Sequence, residues 1–164
     1  MKNALLVSVL AACLLLGCKP KVEVVKVKFT GITQTDKFGT IVGRADSSDW
    51  RTDDVWIKEE KALFNASYTE SAPQPEQLKV LFYANPCRGQ SVVYVKKDST
   101  TRMSVRLVDR DFNVLFSKDS IYENKLLLGL NTLTSNDTVR LYYKFIDINN
   151  NEFKGHGDIF LYLK

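Results

Sequence analysis

The chain has 164 residues, 45% of them hydrophobic and 11% aromatic. That composition belongs to a folded globular protein and excludes a disordered one. Its 23 basic and 19 acidic side chains leave a net charge of +4, too balanced for a nucleic-acid binder, which would show a clustered basic face.

The N-terminus carries Lys2 and then an apolar run from Ala4 to Gly17. A membrane-crossing helix needs about 20 apolar residues, so this run is too short to span. A basic start, a short oily run and a small residue at its end define a secretory signal peptide, residues 1–17. "LLGC", Leu15 to Cys18, resembles the lipobox of bacterial lipoproteins. The resemblance implies that Cys18 is lipidated and becomes the mature N-terminus, so that the first partner of the chain is a membrane. Three acyl chains, each buried CH₂ worth about 0.8 kcal/mol, would anchor it effectively for good. Cys13 would leave with the signal peptide and Cys87 would remain the one thiol, so no internal disulfide is expected.

Residues 18–30 read as a lipidated stalk and a first strand. In "KPKVEVVKVK" the lysines Lys19, Lys21, Lys26 and Lys28 face only Glu23, which suits either anionic headgroups or a solvated stalk. Val25 to Phe29 alternate with period two, the pattern of a half-buried strand. Residues 31–77 form an irregular region expected to pack on the rest. Gly31 to Asp54 is rich in turn formers and holds one short hairpin at most. Ile57 to Phe64 fits two helical turns capped by Asp53 or Asp54, and "SAPQPEQ" follows as a connector.

From Leu78 the pattern changes to short strands. "LKVLFYA", "SVVYVKK", "RMSVRLVD", "FNVLFS", "KLLLGL", "TVRLYYKFID" and "GDIFLYLK" are each bounded by turn residues, with "DRD" and "NNN" as reversal points. The expected fold is mainly β: an antiparallel immunoglobulin-like β-sandwich of about seven to eight strands over residues 78–164, with one short helix. Val139, Leu141, Tyr143 and Phe145 should face its core.

The chemistry the sequence excludes is firmer than the chemistry it offers. His156 is the sole histidine and no Cys-x-x-Cys occurs, so zinc sites of the usual kinds are excluded. No glycine-rich phosphate loop and no Gly-x-Ser-x-Gly elbow is present. No catalytic residue, metal or cofactor is therefore assigned. The one conceivable nucleophilic set is Cys87 with His156 and Asp158, although a cysteine behind Asn-Pro reads more simply as a small core hydrophobe. "DINNNEFKGHGD", Asp147 to Asp158, has oxygen ligands at EF-hand positions 1, 3, 5 and 12, but Glu152 stands where the calcium loop requires glycine. Asp46, Asp49, Asp53 and Asp54 form a looser acidic group, read as a solvated loop with capping duties. Trp50 and Trp56 flank it. With Asp49 and Asp53 they would make a carbohydrate- or calcium-binding surface if exposed; buried, they would pin the irregular region to the sandwich.

Two further resemblances bear on fold and location. "FYANPCRGQSVVYV", Phe82 to Val95, resembles the opening Y-P-N-P strand of small immunoglobulin-like domains in exported bacterial proteins, including type IX sorting domains. Tyr83, Asn85 and Pro86 carry the likeness, with Ala84 in place of the first proline, and "VRLVDRDFNVLF" is similar to that family's strand, tight turn and strand. The "DW…VW…E…ALF" segment is similar to small envelope lipoproteins of the Bacteroidota. Within that group "DST", "DSI" and "DTV" resemble an O-glycosylation signal, which implies Ser99, Ser120 and Thr138 as acceptors. Together these imply a lipid-anchored, non-catalytic binding or assembly module with an envelope protein as partner. Lys19 after the cysteine implies the outer membrane, facing the periplasm.

Overall fold

The computed structural model describes residues 24–53, 55–65, 78–131, 133 and 137–162. Cys18, Asp54 and the connector after Asn65 lie outside them. Eight strands and one helical turn follow in order: β1 (Arg51–Thr52), α1 (Lys58–Ala62), β2 (Lys79–Tyr83), β3 (Gln90–Lys96), β4 (Arg102–Val108), β5 (Val114–Ile121), β6 (Lys125–Gly129), β7 (Thr138–Ile146) and β8 (Glu152–Phe160). They form two antiparallel sheets, ordered β1-β8-β7-β4-β5 and β2-β3-β6. The fold is a β-sandwich. Its seven long strands are divided between the sheets as in an immunoglobulin-type Greek key, with first, second and fifth on one side and the rest on the other.

Period-two alternation makes the core. Val80 and Phe82 on β2, Val93 and Val95 on β3, and Leu126 and Leu128 on β6 face Met103, Val105 and Leu107 on β4. Val139, Leu141, Tyr143 and Phe145 face inward from β7 as their spacing predicts. The other face of β7 is also buried, however, with Arg140 at 7% and Tyr142 at 0% exposure. The irregular N-terminal region covers it. Val27, Trp56, Val108 and Tyr142 form a second apolar cluster, with Phe29, Leu63, Phe64 and Phe112 packed around it. The molecule is thus three layers deep on that side.

Three hairpin tips repeat one device. Asp36, Asp109 and Asp147 each accept, through Oδ1, backbone N–H groups two and four residues ahead. The fourth residue of each tip, Gly39, Phe112 or Asn150, has φ near +60 to +90°. The Asp-x-x-x-Asn/Thr spacing is the local cause, because the carboxylate closes the turn that the left-handed residue permits.

Several expectations need correction. Val25 to Phe29 is not a strand: among the described residues its one backbone-to-backbone bond is Val27 N–H to Arg110 C=O at 2.8 Å, and Lys28 C=O is taken by the Arg140 side chain. The helix is shorter, Asp53 does not cap it, and Asp54 lies outside the described residues. Ile57 is the N-cap, and Glu60 reaches back to its N–H at 2.7 Å. The last strand begins at Glu152, not Gly157, because the Asp147 tip sets Ile146 opposite Glu152. Its polar look misled for a reason: Lys154, His156 and Asp158 lie beneath the N-terminal layer, and Gly155 and Gly157 turn to the core, where Tyr143 and Trp50 fill the space.

Candidate functional site: a groove at the open edge of β2

The hairpin of residues 34–44 is held by the pairs Gln34 N–H to Arg44 C=O and Val42 N–H to Gln34 C=O. Beyond β2 it pairs with Asn85, Thr35 and Asn85 exchanging both backbone bonds at 2.9 and 3.1 Å. It then diverges from β2, and a groove of about 380 Å³ is left between them. Thr35, Ile41, Asp46 and Trp50 line one side, and Val80 to Phe82 line the other.

The edge of β2 is what the groove exposes. Val95 N–H donates toward β6, to Asn124 C=O at 2.8 Å, so Val95 and its partner Val80 form a non-hydrogen-bonded pair. Val80 N–H and C=O therefore point away from β3 and into the groove, as do those of Phe82. Thr35 Oγ1 donates to Phe82 C=O at 2.7 Å. Among the described residues nothing bonds the two edge-directed groups of Val80.

Behind the groove lies a buried polar network. Asp49 accepts Thr33 N–H at 2.8 Å and Asp158 N–H at 2.9 Å. Asn85, fully buried, donates to the carbonyls of Thr33 and Asp158 and accepts Phe160 N–H. Arg140 binds both oxygens of Asp158, at 2.6 and 2.8 Å, and donates to Lys28 C=O. Burial raises the Asp49 carboxyl above its ordinary value, and the Asp158 charge adds to that, although the two N–H donors pull the other way. Burial alone would lower Arg140, yet its bonds to Asp158 hold it above its usual range. Among the described residues no buried side-chain oxygen or nitrogen lacks a partner, so the network is a staple between layers. Asn85 was legible in the sequence only as part of the Asn-Pro motif; the Arg140–Asp158 pair carried no local signal.

The residues singled out from the sequence separate in space. Trp50 and Asp49 line the groove, but Trp50 is 8% exposed, its ring stacked with Phe82 at 5.3 Å and Tyr143 at 6.4 Å. Trp56 is 2% exposed and stacks with Phe64 on the far side of the five-stranded sheet. Neither ring has a face left for a sugar. Asp53 is occupied by Trp56 Nε1–H and His156 Nδ1, both at 2.8 Å. Of the described members of the acidic group, Asp49 and Asp53 are structural, not part of a solvated loop, while Asp46 is part-exposed and held below the usual carboxylate range chiefly by the Ser48 hydroxyl and N–H.

Cys87 is fully buried in the main core against Ser91 Oγ, whereas His156 lies in the outer layer with Asp53, and Asp158 is bound to Arg140. The three do not meet. Asp147 to Asp158 is a hairpin with a five-residue tip, not a calcium loop, and Asp147 spends its oxygens on Asn149 and Asn151. Among the described residues no group of three or more His, Cys, Asp or Glu side chains could hold a metal ion. Ser99 is exposed in a turn, Ser120 is exposed near the end of β5, and Thr138 is half-buried at the start of β7. Among the described residues no helix is long and apolar enough to cross a membrane. Comparison with family models, curated proteins and solved structures finds no match for the chain.

Proposed function

We propose that this is a lipid-anchored protein of the bacterial envelope, held through Cys18, that binds an extended segment of an envelope protein partner by strand addition to β2. It catalyses no reaction in this reading, and it works at the periplasmic face of the outer membrane. The observation that carries the binding mode is the open β2 edge, whose Val80 N–H and C=O face an apolar-walled groove. An added strand would satisfy those groups, and side chains alternating along it would meet Ile41 and Leu81. The separate engagements of the three side chains, Cys87 with Ser91, His156 with Asp53 and Asp158 with Arg140, support the non-catalytic part. The signal peptide and the lipobox resemblance support the anchor.

The test places a photo-crosslinking residue at Ile41 or Leu81, or at exposed Ile148 as control, in intact cells. One envelope protein captured from the first two positions and not from Ile148 is expected. Val80→Pro removes the edge N–H without touching a β2–β3 bond, and proline is tolerated on such an edge. Capture should then fall while the fold stays. Equal capture from all positions, or capture unchanged by the proline, overturns strand addition. Cys18→Ser should release the chain from membranes; its retention there overturns the anchor.

A further inference from the structure

The two outer faces of the sandwich are treated differently. That of the five-stranded sheet lies under the N-terminal layer. On the three-stranded sheet, no described residue forms such a layer, and its outward positions are not those of an ordinary wet surface. Register sets Tyr83, Val92 and Leu127 in one row across the sheet and Leu81, Tyr94 and Lys125 in the next. Leu127 is 62% exposed and Leu81 40%, while Val92 and both tyrosines are half-buried. Lys79 and Lys96 are paired in the following row. No Asp or Glu stands at any outward position of β2, β3 or β6.

The Asp36 hairpin tip extends this face. A Cβ at Gly39 would lie 3.2 Å from the Tyr83 ring, so the tip rests on the end of the sheet. There Phe38 is 77% exposed, with Lys37 Nζ 4.9 Å from its ring centroid. The result is a flat row of aliphatic and tyrosyl side chains, a projecting phenylalanine, and four exposed lysines at the margins.

We infer that this face lies against an anionic lipid surface. Tyrosine favours the headgroup level, where its ring is half wet. The exposed leucines of the sheet and Phe38 at the hairpin tip can enter the acyl boundary, and lysine stems can lie along apolar surface with their ammonium groups at phosphate. An apolar patch with a polar rim marks an interaction surface, and with lysines but no carboxylate at the outward positions of the three strands the complement of the sheet is negative. The face is a second contact with the bilayer; it shares Leu81 with the groove at β2 but uses the outward side of the sheet, not the edge groups of Val80. It does not depend on Cys18, because the chemistry resides in the sheet.

The test uses the full chain on vesicles of phosphatidylcholine with 30% phosphatidylglycerol and a quencher-bearing lipid. An environment-sensitive fluorescent amino acid is placed at Leu127, at Phe38, or at Val55, which is exposed on the opposite layer. Strong quenching at Leu127 and Phe38 and little at Val55 is expected. It should fall in vesicles of phosphatidylcholine alone and at high salt. Each lysine near such a surface is worth about a fivefold change in partitioning. Lys79→Gln, Lys96→Gln and Lys125→Gln together should therefore weaken apposition of the face about a hundredfold. Absence of quenching at Leu127, equal quenching at all three positions, or indifference to lipid charge overturns the inference. So does full protection of Leu127 by a soluble acidic polysaccharide, which would make the partner a glycan. A Cys18→Ser chain that leaves the membrane fraction of cells but keeps charge-dependent quenching on vesicles separates this contact from the anchor.

Discussion

Replacing Arg140 by methionine tests the polar staple most directly. Among the described residues its guanidinium is the one cation bonded to Asp158, whose side chain is 1% exposed, and Arg140 also holds Lys28 C=O. Removing one member of a buried, hydrogen-bonded pair leaves a charge without a counterion and costs about 3–5 kcal/mol. At about 3 °C per kcal/mol for a domain of this size, Tm should fall by about 9–15 °C. Urea unfolding followed by tryptophan fluorescence measures it, because Trp50 and Trp56 sit in the two layers the pair joins. The double variant Arg140→Met with Asp158→Leu removes both charges and should recover most of the loss, ending within about 2 kcal/mol of the parent. A single-variant cost below about 1 kcal/mol, or no recovery in the double variant, would refute the claim that desolvated charge dominates there.

Asn150→Gly should stabilise the protein by up to about 1 kcal/mol, since φ there is +61° and glycine pays no Cβ penalty. Phe112→Gly relieves the same kind of strain but strips a ring stacked on Tyr142 at 6.3 Å, so denaturant midpoints should move in opposite directions. Gly157→Ala drives a methyl into the Trp50 ring and should cost about 1–3 kcal/mol, whereas Gly129→Ala, with open space around it, should stay within about 0.5 kcal/mol; thermal melts separate them. Stability should fall in acid as pH drops through the lowered values of Asp46, Asp119 and Asp147, because their contribution is complete only above the unfolded value of 3.8. Asp49, raised by burial, acts with the opposite sign: it binds its proton first when folded, so its penalty is relieved as pH falls from neutral. A melt series from pH 7 to 2 should therefore be level or slightly rising down to about pH 4 before it drops; a steady loss beginning at pH 6 would contradict this.

Alternation and turn chemistry determined much of the architecture before any contact was known. The seven later strands, the inward set on β7 and the Asp-led tips are local: a two-residue period chooses a face, and a carboxylate closes its own turn. A two-residue period cannot report that both faces are covered, which is why the first half of β8, before Gly157, looked like loop until Trp50 and Tyr143 filled the space over its glycines. Nor can it pair residues far apart in the chain. Asp49 beside Asp158, Asn85 beside Thr33, and Arg140 on Asp158 are long-range contacts fixed by how the sheets and the N-terminal layer stack. The same stacking took Trp50 and Trp56 out of solvent and separated Cys87 from His156. It also left the β2 edge and the outer face of the small sheet open, because exposure is a property of what packs nearby and no single segment encodes it.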